Sequence, residues 1–247
     1  MRHSPVNPLG PPLVAVAHGS RDPRAAAVVE DLLDGVRLAR PHLDVRTAYL
    51  DHAPPTLPAA LAPLEAAVVV PLLLTAAYHS RVDIPGALRE APPLLDVRVG
   101  DTLGPDALLL AALERRLQEA GISPGDPDTA IVLVSAGSSN RQANQTVARL
   151  AATWPRPWGA VRTAYASAGS PTPAEAVTRL LHAGAPRVVV APYLLAPGYF
   201  ADKVTLETRA AGAHTVSGVL GAAPELIQLV LKRYDEALLR DRVSLPA

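Results

Sequence analysis

Three segments of this chain occur twice, in the same order and at nearly constant spacing. "VRTAYLDHAPPTLPAAL" from Val45 matches "VRTAYASAGSPTPAEAV" from Val161, an offset of 116 residues. "VAVAHGSRD" from Val14 matches "VLVSAGSSN" from Val132 at an offset of 118. "VVVPLLLTAAYHSRVDIP" from Val68 matches "VVVAPYLLAPGYFADKVT" from Val188, where Pro71 falls on Pro192 at an offset of 121. Such self-similarity restricts the fold to two copies of one arrangement. Gly and Pro cluster in "GISPGDPDT", residues 121–129, and this divides the chain into halves at 1–122 and 127–247.

Each half reads as alternating strands and helices. In the first, short runs of Val, Leu and Ala near 12–17, 45–50, 66–74 and 96–100 are apolar on both faces. Runs of that kind suit parallel strands covered by helices on both sides. Helical patterns lie near 23–40, 56–65, 83–92 and 105–120, and Asp22 before Pro23 is a good N-cap followed by proline at the first helical position. The second half repeats this with strands near 129–135, 160–166, 187–194 and 214–219. Its last helix, near 223–242, places Leu226, Leu229, Val230, Tyr234 and Leu238 along one face. The expectation is an α/β fold of two tandem Rossmann-like domains, each with a parallel sheet.

Composition narrows the function classes. Apolar residues are 49% and charged residues 19%, enough to bury a sizeable core. Lys plus Arg and Asp plus Glu both number 23, which argues against a broad surface for nucleic acid. There is no cysteine, so thiolate metal sites, disulfides and thiol nucleophiles are excluded, and any transition metal must take imidazole or oxygen ligands. The N-terminus "MRHSPVNPLGPP" lacks the apolar core of a signal peptide, and no apolar run approaches the ~18–20 residues of a membrane span. A cytoplasmic protein that meets no membrane is expected.

In open parallel sheets, ligands bind at the carboxyl ends of the strands. After the first strand come His18, Gly19, Ser20 and Arg21; after the third come Tyr78, His79, Ser80, Arg81 and Asp83. On neighbouring strands, ~4.8 Å apart, the two imidazoles can face one pocket. A neutral imidazole pair suits Fe2+, Co2+, Ni2+ or Zn2+, and a site that must release its ion keeps positions open. The bland alternative is a capping or packing role for each ring. His3, His42, His182 and His214 read as tail, loop, helix and strand-start residues with structural or solvated roles, and His52, which follows a strand and could line the cleft, reads by its neighbours "LDHAPP" as a turn residue. At the equivalents of His18 and His79 the second half carries Ala136 and Phe200, so the scaffold is duplicated and the imidazoles are not.

"AHGSRDPRA" at 17–25, joined to "YHSRVDIP" at 78–85 and to the degenerate second copy, resembles the class II chelatases of the sirohydrochlorin type, in their long duplicated form. The resemblance runs from about residue 12 to 240. It implies two flavodoxin-like domains flanking a cleft, insertion of Co2+ or Fe2+ (with Ni2+ a further candidate) into sirohydrochlorin, and no organic cofactor. His18 and His79 match the family's paired metal-binding and catalytic histidines. A neutral imidazole, with a pKa near ~6.5, accepts a proton or holds a metal at neutral pH.

Sirohydrochlorin carries many carboxylates, and the residues expected to receive them are Arg21, Ser20, Arg81, Ser138, Asn140, Arg141 and Lys203, all just beyond strand ends. "GSSN" at 137–140 sits at an expected helix N-terminus, a ready anion site. Ser20, Ser138 and Ser139 also read as caps, each arginine as a solvated charge, and Asp83 as a partner that orients an imidazole or, the favoured reading, as the N-cap of the following helix. A tetrapyrrole or metal carrier without catalysis is the competing function, and a two-lobed periplasmic binding module a third, disfavoured by the absent signal sequence. Two fused halves supply what a dimer of short versions would, so a monomer is expected.

Overall fold

The structure, a computed structural model, describes residues 10–75 and 83–240. Among these residues strands and helices alternate throughout. The first half contains β1 (Leu13–Ala17), α1 (Pro23–Ala39), β2 (Val45–Tyr49), α2 (Leu57–Leu61), β3 (Ala66–Pro71), α3 (Ile84–Leu88), β4 (Asp96–Val99) and α4 (Ala107–Glu119). The second contains β5 (Thr129–Ser135), α5 (Arg141–Ala152), β6 (Ala160–Tyr165), α6 (Pro173–His182), β7 (Arg187–Tyr193), α7 (Tyr199–Ala210), β8 (Thr215–Val216) and α8 (Pro224–Leu238).

The strands form two four-stranded sheets in the orders β2-β1-β3-β4 and β6-β5-β7-β8. All pairs are parallel, Val14 lying opposite Arg46 and Val69, and Val132 opposite Arg162 and Val190. The inner strands β1 and β5 are buried along their whole length, which is why their sequences are apolar without alternation. The fold is two tandem α/β domains. In each sheet the order reverses between the first and third strands, and there the helices leave for opposite faces and open a crevice.

Helix α4 and its repeat equivalent α8 are exchanged between the sheets. Helix α8 packs on α1, α4 and β3, while α4 packs on β7 and α5. Leu226, Leu229, Val230 and Tyr234 of α8 therefore share one continuous core with Leu13, Leu32, Val68, Ile131 and Val189. Two smaller clusters cover the outer sheet faces, one under α2 and α3, the other under α6 and α7. Polar ties reinforce the exchange: the Tyr234 hydroxyl donates to the Pro11 carbonyl at 2.7 Å, and Arg115 pairs with Glu225 at 2.7 Å. The Arg115 guanidinium holds the Glu225 carboxyl below its ordinary range.

Element positions follow the sequence reading, with several differences: the helices expected near 56–65 and 83–92 are the short Leu57–Leu61 and Ile84–Leu88. The expected strand at 66–74 ends at Pro71; the apolar run continues because Leu72 to Thr75 line a cavity, not because the sheet extends. β8 shrinks to two residues, since it pairs only with Val189 and Val190. Asp83 was expected to cap α3, but its backbone is already helical and its side chain makes no capping hydrogen bond. Asp22 does cap α1, accepting from the Arg24 amide at 2.9 Å.

The buried Arg233 of α8 donates to the Thr102 and Leu103 carbonyls at 2.9 and 3.0 Å and pairs with Asp106 at 3.1 Å. It thereby ties the β4–α4 connection to the exchanged helix. Arg233→Ala leaves two carbonyls unsatisfied, while Asp106 keeps Lys232 and the Leu108 amide, so chemical denaturation is expected to show a loss of about 3 kcal/mol. A loss under about 1 kcal/mol would contradict this role for the guanidinium.

Candidate functional site

The two crevices face each other across one cavity of about 860 Å³. Its wall is built from Ala17 to Arg21 after β1, Leu72 to Thr75 after β3, Ser135 to Ser139 after β5 and Leu194 to Ala201 after β7. Small side chains predominate, so backbone amides near the starts of α1, α5 and α7 lie close to the open volume. Those helix ends carry partial positive charge and favour anionic groups.

The same turn is built twice at the cavity edge. In the first half the Leu50 amide donates to the Ala17 carbonyl at 3.0 Å and the Asp51 amide to the His18 carbonyl at 2.9 Å. In the second half the Ala166 amide donates to Ser135 and the Ser167 amide to Ala136, both at 2.9 Å. Glycine follows in each case because the two connections touch. Gly19 has φ +91° and Gly137 φ +85°, and a Cβ on either would overlap the Asp51 or the Ala168 carbonyl oxygen. Ser20 Oγ then accepts from the Asp22 amide and Ser138 Oγ from the Asn140 amide, each at 3.1 Å.

Side chains break this symmetry. His18, half-buried, directs Nδ1 at the Gly19 carbonyl, 3.1 Å away. A carbonyl accepts only, so a proton on Nδ1 puts the ring's lone pair on Nε2. The ring centroid of His52 lies 6.2 Å from that of His18, the rings tilted by 50°, and both line the cavity. In sequence His52 follows a strand and could line the cleft, but its neighbours favour a turn. It is in a turn, yet that turn delivers its ring to the cavity. The signal available was its position three residues beyond the end of a strand adjacent to β1. In the second half, Asn144 occupies the corresponding region. Its amide side chain accepts from the Ser138 amide at 2.9 Å and donates to the Ser138 and Ala168 carbonyls at 2.9 and 3.1 Å. Sequence reasoning also missed this residue, whose repeat partner is Ala26.

Of the other expected site residues, Ser20, Arg21 and Ser138 line the cavity. Arg21 is exposed. Asn140, Arg141 and Lys203 are not among the described lining residues. Asn140 is spent as the N-cap of α5, accepting from the Gln142 amide at 2.9 Å, and Arg141 begins that helix on its exposed side. Lys203 donates to the Ala166 carbonyl at 3.0 Å, at the end of β6. His79 and Arg81 lie outside the described residues. So does His3, while His42, His182 and His214 are exposed and away from the cavity lining.

The two halves also meet at the cavity itself. Tyr193, buried at the end of β7, donates to the Leu74 carbonyl at 3.0 Å, and burial pushes its phenol far above the usual range. At the mouth, Arg24 bridges Asp22 and Asp202, at 2.6 Å to each. The hydrogen bond from Arg24 holds the Asp22 carboxyl below its ordinary value. Tyr199 and Phe200, ring centroids 5.5 Å apart in an edge-on contact, present exposed aromatic surface on the opposite wall. Among the described residues no three His, Asp or Glu side chains gather as a ligand cage.

The chain matches the protein family described as CbiX twice, over residues 12–120 and 130–237. A sirohydrochlorin cobaltochelatase of Priestia megaterium is 27% identical, over 90% of this chain and 78% of that one. A sirohydrochlorin ferrochelatase of Bacillus subtilis is 27% identical, over 91% of this chain and 90% of its own. The solved structure of SirB from Bacillus subtilis with Fe3+ shares the fold, with a TM-score of 0.80 at 23% identity, over 92% of this chain and 95% of that one.

Because Gly19 meets the Asp51 carbonyl while Gly121, at φ +82°, has nothing within 4 Å, the pair separates conformation from contact. Gly121→Ala is expected to cost about 1 kcal/mol. Gly19→Ala is expected to cost at least about 3 kcal/mol, because the clash adds to the same backbone strain. Equal losses in thermal or urea unfolding would contradict the close approach at Gly19.

Proposed function

The chain belongs to the CbiX family, matched over both of its halves, and from that premise we propose that it inserts a divalent metal ion, Co2+ or Fe2+, into sirohydrochlorin. The observation that carries the reading is the single cavity walled by both crevices, with an imidazole-bearing edge on one side and an imidazole-free, aromatic wall on the other. Its volume of about 860 Å³ falls toward the upper end of the ~300–1,000 Å³ typical of ligand pockets, as a tetrapyrrole requires.

Metal insertion exchanges the ion's water and protein ligands for four ring nitrogens and releases two pyrrole protons. A neutral imidazole serves both needs. While it binds the ion through its lone pair, it replaces water and holds the ion at a defined place. Once the ring nitrogens take the ion over, that lone pair is released and accepts a proton from a pyrrole N–H. His18 is suited to this, with Nδ1 3.1 Å from the Gly19 carbonyl and its ring on the cavity lining. The resemblance in "YHSRVDIP" gives His79 the partner role, as second ligand and base. No organic cofactor takes part in this chemistry, and the metal is a substrate.

The macrocycle's carboxylates meet Arg21 at the rim, which forms no ion pair among the described residues. The Ser20 and Ser138 hydroxyls add neutral polar groups around the same opening. Arg81 belongs to this set by its place in the motif. Asn140 and Lys203, engaged by the Gln142 amide and the Ala166 carbonyl, stand outside the lining, as does Arg141. The Tyr199–Phe200 surface offers a face for the apolar body of the ring.

We assign the enzyme to the cytoplasm as a monomer, consistent with a cavity already closed by two halves of one chain. Among the described residues no helix is long and apolar enough to cross a membrane. The domains are drawn at 1–122 and 127–247, each completed by the other's last helix.

Purified protein mixed with sirohydrochlorin and Co2+ or Fe2+ under anaerobic conditions is expected to accelerate the absorbance change of metallation over the protein-free rate. His18→Ala is expected to remove most of that acceleration while the protein still melts cooperatively. A macrocycle spectrum that shifts on binding, with no acceleration by the wild-type protein, would contradict the enzyme and favour a carrier. Arg21→Ala is expected to raise KM for sirohydrochlorin several-fold, since one exposed charge contact is worth up to about 1 kcal/mol.

A further inference from the structure

Among the described residues, the polar or charged residues that are buried are Thr102, Thr129, Ser135, Thr208, Ser217 and Arg233. All but one spend the side chain inside the protein. The hydroxyls of Thr102, Thr208 and Ser217 donate to the carbonyls of Gly104, Val204 and Gly218. That of Thr129 donates to Asp126, and the Arg233 guanidinium to the Thr102 and Leu103 carbonyls. The exception is Ser135, whose hydroxyl has no hydrogen-bond partner among the described residues although the residue is only 6% exposed. A hydroxyl taken out of water and left bare costs free energy that a partner would return. Such a group in a native fold requires an explanation.

Its place in the sheet settles which way it faces. Ser135 ends β5, two residues after Leu133 and four after Ile131, both of which lie in the core between the halves. Side chains alternate along a strand, so Ser135 points to that same side, where the core gives way to the cavity that the residue lines. Tyr193, its neighbour in register on β7, stands on this face too. The first half carries Ala17 at the equivalent position, in the same core, so the fold itself has no need of a hydroxyl here. Ser135 leads directly into the connection to α5, a helix of 12 residues whose start carries partial positive charge. No Asp or Glu is present among the described lining residues. One crevice therefore has a methyl group at its floor. The other has an unpaired hydroxyl beside a helix start, with no carboxylate to repel an anion.

We propose that the Ser135 hydroxyl donates to a carboxylate arm of the macrocycle seated in the second crevice. This deepens the chelatase reading and takes the identity of the macrocycle from it. A hydroxyl donating to a carboxylate in a pocket largely shielded from water makes a charge-assisted bond, shorter and stronger than one between neutral groups.

The test uses the full chain and metal-free sirohydrochlorin, with binding followed by the visible absorption of the macrocycle. Ser135→Ala is expected to weaken binding about tenfold, the size of one hydrogen bond to a charged group. Because the hydroxyl has no partner in the free protein, the same variant is expected to melt at or above the wild-type temperature, which separates a ligand contact from a structural one. Ser135→Thr keeps a hydroxyl on a residue that strands favour, and is expected to bind within threefold of wild type. A second probe, the macrocycle with its carboxylates converted to methyl esters, is expected to bind wild type and Ser135→Ala within twofold of each other. Sirohydrochlorin affinity within twofold of wild type in Ser135→Ala overturns the proposal. A Ser135→Ala protein that fails to fold, or melts well below wild type, overturns it as well, since the hydroxyl is then structural. So does an equal loss with the ester, which places the hydroxyl on another part of the macrocycle. If wild-type protein metallates sirohydrochlorin and Ser135→Ala binds it normally, this inference fails and the chelatase reading stands. If binding depends on Ser135 and wild-type protein does not accelerate metallation, the reading of function fails and the contact stands.

Discussion

The exchange of α4 and α8 is the constraint on which the rest depends. Each helix is coded at the end of one half and buried against the other, so neither sheet has a complete inner face without its neighbour. The resulting core is continuous from Leu13 through Tyr234 and Ile131 to Val189. Two α/β units joined only by a linker would be free to rock. Here the apolar surface between them fixes how the two carboxyl edges oppose each other, and the cavity is the space that this arrangement leaves. Arg233, Tyr234 and the Arg115–Glu225 pair add direction to a contact that apolar packing makes strong but not specific.

Duplication supplied the geometry, and substitution supplied the chemistry. The backbone turn that links the first and second strands is the same in both copies, down to the glycine and the amide-to-carbonyl bonds. On this shared frame one half carries His18 and His52. The other carries Ala136 and Ala168, with Asn144 satisfying the backbone groups around them. The wall with Asn144 is held by its own hydrogen bonds. The opposing edge carries the imidazoles of His18 and His52 on the cavity lining. Such asymmetry suits a reaction in which a rigid macrocycle is gripped on one side and met by a metal on the other.

Much of this was legible in the sequence. Long apolar runs such as that at Val68 to Val70 fixed the buried parallel strands, and Asp22 before Pro23 fixed the start of α1, because both signals are local. The repeat identified the paired turns, and "HGSR" marked the first strand end. The helix exchange was not legible, since the apolar face of α8 states that it is buried and says nothing of which sheet buries it. His52 was hidden for a related reason. In "LDHAPP" a turn signal dominates, and only the sheet order, with β2 beside β1, brings that turn to His18. Lys203 and Asn140 are polar residues near strand ends whose side chains meet backbone groups, the Ala166 carbonyl and the Gln142 amide, and such pairings are not visible in sequence.

The claim that a divalent ion is held by imidazole at this cavity, as a substrate in transit, is tested most directly by X-ray absorption at the cobalt edge of the Co2+-loaded protein without macrocycle. The account predicts a mixed shell of nitrogen and oxygen at ~2.0–2.2 Å, with the outer-shell scattering of two imidazole rings. An all-oxygen shell with no imidazole scattering would contradict it.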